Sequence, residues 1–220
     1  MLDIMYAHFD SVRGRYAGRI AVLDVVIEAI EDETFGLRVT PWQQNIGDDY
    51  INLAFERARL ADPTAQLLYN DYNISQLGHP KADAVFAMIE QMVADGVPID
   101  GVGFQMHWDL TEPPNVQAVI DNMARYEAID VEVYVTEIDV RIPDERGDDA
   151  LDEAADVYEA MLLTCLNAPN CNHFTTWGMS DLDSWIPGFF EGFDRAHIFD
   201  AEFEARPAYH ALVTLLDNDA

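Results

Sequence analysis

Two periods alternate along this chain. Leu2, Met5, Phe9, Val12 and Tyr16 recur at intervals of three and four, which predicts one apolar face of a helix. From about Ile20 to Val26 the apolar residues run together as in a strand of a covered sheet, and the run delivers Glu28. The helical period returns after the breaker Pro41, with Ile51, Ala54, Phe55 and Ala58 behind Asp48 and Asp49, acids that suit the positive end of a helix dipole. Gln66 to Tyr69 reads as a short strand, and Val85, Ile89, Met92 and Val93 as a helix closed by Gly96 and Pro98. Gly101 to Met106 predicts a third strand, followed by a helix opened by Pro113 and Pro114 and carrying Val116, Val119, Ile120 and Met123. Val131, Val133 and Val135 then alternate with Glu132, Tyr134 and Thr136, the clearest period of two in the chain. Leu151 to Cys165 is helical by spacing, His173 to Trp177 is a fifth strand, and a last helix begins near Pro207 with Ala208, Leu212 and Leu215.

Five strands alternating with helices, each unit about 30 residues long, predict an α/β protein of the (β/α)8 TIM-barrel type with about five of its eight units present. A doubly wound sheet is the alternative, but no Gly-rich phosphate loop follows any strand. With 220 residues, 50% of them hydrophobic, the chain can bury one sizeable core, so residues 1–220 are expected to form a single domain. No internal repeat or low-complexity linker interrupts it.

In a parallel barrel the side chains at the carboxyl ends of the strands converge on one face. Here those ends carry Glu28, then Asn70 to Asn73, then Gln105 and His107, then Glu137 and Asp139, then Trp177 and Trp185. Taken singly each has a plain structural reading: Glu137 as a solvated loop acid, His107 as a satisfied structural histidine, Trp177 as core. Together they form the inventory of a sugar site, in which aromatic faces stack on pyranose rings and amides and carboxylates bond hydroxyls. Two glutamates ending strands suggest glycoside hydrolysis, in which one carboxyl group protonates the leaving oxygen and the other attacks carbon or activates water.

Charge narrows the partners. The formal net charge is -29, and Lys81 is the only lysine among 12 cationic residues. Such a surface repels phosphate backbones and anionic membranes, so nucleic acid and lipid are poor partners. Acidity combined with near-absent lysine points to a halophilic source, where salt screens the self-repulsion. No apolar run reaches the roughly 18 residues that span a bilayer. Met1 leads into Leu2-Asp3-Ile4-Met5-Tyr6 without a basic stretch before an apolar one, so no signal peptide is expected in this sequence. Cys165 and Cys171 lack zinc-site spacing. A disulfide suits an extracellular chain, and two reduced thiols fit the spacing equally well.

Asp24-Val25-Val26-Ile27-Glu28-Ala29, Leu68-Tyr69-Asn70-Asp71-Tyr72-Asn73, Gly101-Val102-Gly103-Phe104-Gln105-Met106-His107, Val135-Thr136-Glu137-Ile138-Asp139 and Thr176-Trp177-Gly178 with Asp181 to Trp185 occur in this order. With the closing Phe199-Asp200 and Pro207-Ala208-Tyr209, the chain resembles the C-terminal part of a glycoside hydrolase family 10 endo-1,4-beta-xylanase over almost its whole length. The resemblance implies a retaining hydrolysis of beta-1,4-xylan with Glu137 as nucleophile and Glu28 as acid then base, their carboxyl groups about 5 to 5.5 Å apart. It further implies that His107 and Asp139 support Glu137, that Asn70, Tyr72, Gln105, Trp177 and Trp185 bind substrate, and that Cys165 and Cys171 pair. It implies an extracellular enzyme acting on a polysaccharide, with no metal or cofactor. Alternatives are a catalytically impaired or non-catalytic sugar-binding remnant and a related beta-1,4-glucanase. This chain departs from the family pattern at Ile27, where asparagine is usual, and at Leu23, where tryptophan is usual. About three strand-helix units, roughly 90 residues, are missing at the N-terminal end of the barrel.

The charge carries its own test. Raising sodium chloride from about 0.1 M to about 1 M shortens the Debye length from about 10 Å to about 3 Å. The midpoint of a thermal melt followed by circular dichroism should therefore rise across that range.

Overall fold

The computed structural model describes residues 1–219, and its elements follow the alternation of periods. Helix α1 (Leu2–Tyr16) leads into strand β1 (Val22–Ile27), then helices α2 (Pro41–Ile46) and α3 (Tyr50–Ala61) and strand β2 (Gln66–Asp71). Helix α4 (Pro80–Ala94), β3 (Gly101–Phe104), the short β4 (His107–Asp109) and helix α5 (Val116–Glu127) come next. Strand β5 (Glu132–Pro143), helix α6 (Asp149–Asn167) and β6 (Cys171–Thr176) complete the fifth unit. A 3-10 turn (Asp181–Asp183), helix α7 (Ile186–Phe189), β7 (Phe193–Asp194) and helix α8 (Pro207–Asp219) close the chain.

Where boundaries differ from the sequence pattern, a local cap or pairing explains the difference. Pro41 reads as a breaker but occupies the first turn of α2, where its missing N–H costs nothing, and the Thr40 hydroxyl accepts a bond from the Gln43 N–H at 3.2 Å. Helix α3 starts at Tyr50, so Asp48 and Asp49 precede its first turn, and Asp48 accepts from the Gln43 amide at 3.0 Å. Helix α5 starts after Asn115, whose side chain accepts from the Ala118 N–H, and not at the two prolines. Strand β5 runs past Thr136 to Pro143 because its second half gains neighbours, with β4 parallel and β7 antiparallel to it. On α1, Met5 and Phe9 are buried, but the third inward residue is Arg13 while Val12 and Tyr16 stay exposed. Arg13 meets Asp62 at 3.0 Å in a sealed pair that ties α1 to the end of α3.

The parallel strands β1, β2, β3, β5 and β6 lie side by side in that order, a partial barrel with helices outside. Leu68 faces Gly101, and Gly101 faces Glu132, so the strand ends stay level across the sheet. Gly101 permits the tight inner layer, since a Cβ there would lie 2.7 Å from Leu68 and 2.8 Å from Tyr134. Between sheet and helices, Leu67, Tyr69, Val102, Phe104, Val133 and Val135 meet Phe55, Val85, Ile89, Val119 and Met161 in one apolar core. Burial falls away towards both sides. Strand β3 is buried throughout, yet no residue of β1 is buried, and of β6 only Cys171 is. Beside β1, a cavity of about 390 Å³ lined by Ile4, Met5, Phe9, Val25, Ile27 and Trp42 opens where a closed barrel would set another strand. No described helix is long and apolar enough to cross a membrane.

Cys165 at the end of α6 and Cys171 at the start of β6 form a disulfide with Cα atoms 5.1 Å apart. The loop it closes is short, six residues in sequence separation. Replacing both cysteines by alanine should lower stability by about 2 kcal/mol, seen as a lower urea midpoint at unchanged slope.

Candidate active site

Three successive strand ends turn through the left-handed region on residues other than glycine. Glu28 after β1 has φ 52°, Asn73 after β2 has φ 57°, and Met106 after β3 has φ 61°. Each such residue costs on the order of 1–2 kcal/mol, so the surrounding structure must hold it there. At Glu28 the hold is visible: its N–H donates to Asn70 O at 2.9 Å, and the next N–H, of Ala29, donates to the buried Tyr69 hydroxyl at 3.0 Å.

These turns open onto a cavity of about 590 Å³ lined by Glu28, Tyr72, Gln105, His107, Glu137, Trp177 and Trp185, with Arg38, Arg141, Phe189 and Phe190 at its walls. Seven of the nine candidates read from the sequence thus share one cavity. Asn70 and Asp139, both fully buried, lie behind it.

Asn70, expected from the sequence as a substrate-binding residue, lies behind the cavity lining and is bonded within the protein. Its amide N–H donates to Glu137 Oε1 at 2.8 Å, and its carbonyl oxygen accepts from the Thr136 hydroxyl at 2.9 Å, so both ends are engaged within the protein. Gly103 makes the room, for a Cβ there would stand 2.5 Å from Asn70 Oδ1. The other oxygen of Glu137 meets His107 Nε2 at 3.2 Å. His107 Nδ1 in turn lies 2.9 Å from Asp139 Oδ1, while Asp139 Oδ2 accepts from the Trp185 indole N–H at 2.7 Å. One relay therefore joins the aromatic wall to Glu137 through Asp139 and His107.

Burial by itself would lower the His107 imidazole. The hydrogen bonds and negative charges of Asp139 and Glu137 outweigh it and raise the group to about 9. His107 is thus an imidazolium at neutral pH, donating from both nitrogens. Glu28 is held more lightly, by the Gln105 amide at 3.2 Å. Glu137 has a donor on each oxygen, one of them cationic. Glu28 has one neutral donor on one oxygen.

Around Glu28, Arg38 donates to the Tyr72 hydroxyl at 3.1 Å, and that hydroxyl bonds Asp32. Lys81, fully buried, lies 3.4 Å from the centre of the Tyr72 ring and pairs with Asp71 at 2.8 Å and Asp32 at 2.9 Å. Burial pulls the Lys81 ammonium down, and its bonds and attraction to Asp71 and Asp32 outweigh that and hold it above its ordinary value. On the far side the Arg141 guanidinium bonds Asp109 through two nitrogens and lies 4.1 Å from the centre of the Phe190 ring. Arg38, Arg141 and the Phe189-Phe190 pair are missed by pattern reading, because arginines and aromatics in loops carry no period. Ile27, 56% exposed, lies in the groove beside β1 and brings no polar group to it.

The model of Glycosyl hydrolase family 10 matches residues 1–215. The chain belongs to this family. Endo-1,4-beta-xylanase B of Thermotoga neapolitana is 37% identical over 99% of this chain and 62% of its own length, and the Humicola insolens endo-1,4-beta-xylanase B is 35% identical over 96% and 59%. Among solved structures, native xylanase 10B of Thermotoga maritima superposes with a TM-score of 0.95 at 36% identity, covering 99% of this chain and 67% of that one. Xylanase 10B of Thermotoga petrophila, in complex with xylobiose, gives the same TM-score and identity. The chain spans about three fifths of these curated family members, which accords with the partial barrel and its two open sides.

The relay predicts a pH dependence. Because the folded-state value of His107 lies above the ordinary 6.5, its protonation stabilises the fold fully below pH 6.5, and that contribution is lost as pH rises through about 9. Stability of the wild type relative to His107→Gln should therefore fall by on the order of 3 kcal/mol between pH 6 and 10, measured by urea unfolding.

Proposed function

We propose that this chain carries the catalytic carboxylates of an endo-acting, retaining beta-1,4-xylan hydrolase, with Glu137 as nucleophile and Glu28 as acid and then base. The observation that supports this most is the unequal treatment of two glutamates facing one cavity. Glu137 is bonded by Asn70 at one oxygen and by His107 at the other, which holds its oxygens in set directions. Glu28, with one bond from Gln105, keeps an oxygen free to exchange a proton. In this reading Glu137 attacks the anomeric carbon while Glu28 gives its proton to the departing glycosidic oxygen. Glu28 then takes a proton from water as the water displaces Glu137 from the glycosyl-enzyme. Trp177 and Trp185 cover the sugar that becomes covalently attached, and Tyr72 lines the leaving-group side.

Xylan is the substrate to which the family's xylanases and the xylobiose complex point. The disulfide suits an oxidising location outside the cell, and the charge of -29 suits a saline one. Ile27 and the open edge of β1 support a second reading, that the chain as it stands is impaired. Ile27 offers no hydrogen bond to a sugar hydroxyl, and bonds to the 2-hydroxyl that tighten in the transition state supply several kcal/mol in such enzymes. Remote sugar contacts that a complete barrel provides also contribute to lowering the barrier.

Reducing-sugar release from xylan and from a beta-1,4-glucan in molar salt tests both readings. The chain should act on xylan at least tenfold faster than on glucan, Glu137→Gln should abolish turnover, and Ile27→Asn should raise it about tenfold. No release from xylan even with Ile27→Asn would favour the sugar-binding remnant, and faster release from glucan would reassign the substrate.

A further inference from the structure

In a chain whose charged surface holds arginine and acid, the single lysine is fully buried. Sealing an ammonium from water is unfavourable unless it is paired and bonded, so its place calls for a reason. Two branches leave it. One runs from Lys81 to Asp71 at 2.8 Å, from Asp71 Oδ2 to the Tyr69 hydroxyl at 2.6 Å, and from that hydroxyl to the Ala29 N–H at 3.0 Å. The second runs to Asp32 at 2.9 Å and to the ring face of Tyr72. The first ends at the peptide beside Glu28, which sits in the left-handed region where a residue with a Cβ does not stay unaided. The second ends on the wall beside that same glutamate. Asp71, Tyr69 and Lys81 are wholly buried, so no solvent relaxes the first branch.

We infer that Lys81 is a positioning residue for Glu28: through Asp71 and Tyr69 it fixes the backbone turn that aims the acid, and through Asp32 and Tyr72 it fixes the leaving-group wall. The ammonium is a point charge that serves both carboxylates and the ring at once. This rests on the reading of Glu28 as proton donor, and the experiment separates the two.

A misaimed acid slows departure of a poor leaving group and hardly affects one that leaves without a proton. kcat/KM should be measured in molar salt for xylopentaose and for a dinitrophenyl xylobioside. Lys81→Met and Tyr69→Phe should each lower the value for xylopentaose about tenfold or more relative to the activated substrate. Lys81→Arg, which restores a cation, should recover part of the loss. Tyr69→Phe keeps the Lys81–Asp71 ion pair and removes the hydroxyl that joins Asp71 to the Ala29 N–H, so it answers even where Lys81→Met does not fold. Equal losses on both substrates, or none, would overturn the assignment. Amide exchange at Ala29 gives an answer independent of activity. It should quicken about tenfold in Tyr69→Phe while amides of α6 stay unchanged, and an unaltered Ala29 rate would overturn the inference. Should the wild type cleave neither substrate, the proposed function falls, and the exchange measurement alone decides the role of Lys81.

Discussion

Everything at the site depends on the level, parallel pairing of β1, β2, β3 and β5. Parallel strands in register bring their carboxyl ends to one face, and a shift of one residue would send every side chain to the opposite side. The pairing of Asn70 with Ile27 on one side and with Gly103 on the other sets the depth at which the Asn70 amide meets Glu137. A side chain on Gly103 would fill that space. The geometry of the site is therefore a consequence of sheet register, tuned by one residue without a side chain.

Behind the cavity, polar groups are arranged so that each buried charge meets another. Asp139 accepts from His107 and Trp185 at once, and His107 donates to Asp139 from one nitrogen and to Glu137 from the other. Lys81 does the same between Asp71 and Asp32. Low dielectric raises the cost of any member left alone, and it equally strengthens the complete network. One network ends on Glu137 and the other beside Glu28.

The barrel's incompleteness leaves its mark in burial. Inner strands are sealed, while β1 and β6 expose residues that a neighbouring strand would cover, and the groove beside β1 is apolar. Exposed strand edges invite pairing, and the charge of -29 opposes association between copies. Charge thereby acts on solubility and long-range repulsion, whereas the fold is set by the apolar periods.

Much was legible in the chain itself. Local sterics and hydrophobic spacing depend on near neighbours, so the alternation of strand and helix, the strand that delivers Glu28, and the partial barrel could be read from period and length, whereas Glu137, read as following a strand end, lies inside β5. The residues quoted for the family resemblance identified the family that the comparisons show. Boundaries were less legible where a cap or a second partner decided them, as at Pro41, Asn115 and the long second half of β5. What only the tertiary structure decided were the contacts between residues far apart in sequence. Asn70 can be placed at a strand end from the sequence, but its bonds to Glu137 and Thr136, 67 and 66 positions away, come only from the fold. Lys81 is marked in the sequence only as the single lysine, and its enclosure by Asp71, Asp32 and the Tyr72 ring comes from the fold. A sequence period reports which face of an element is apolar, but the charge and hydrogen bonds that a polar side chain meets come from other elements, and those are brought together only by folding.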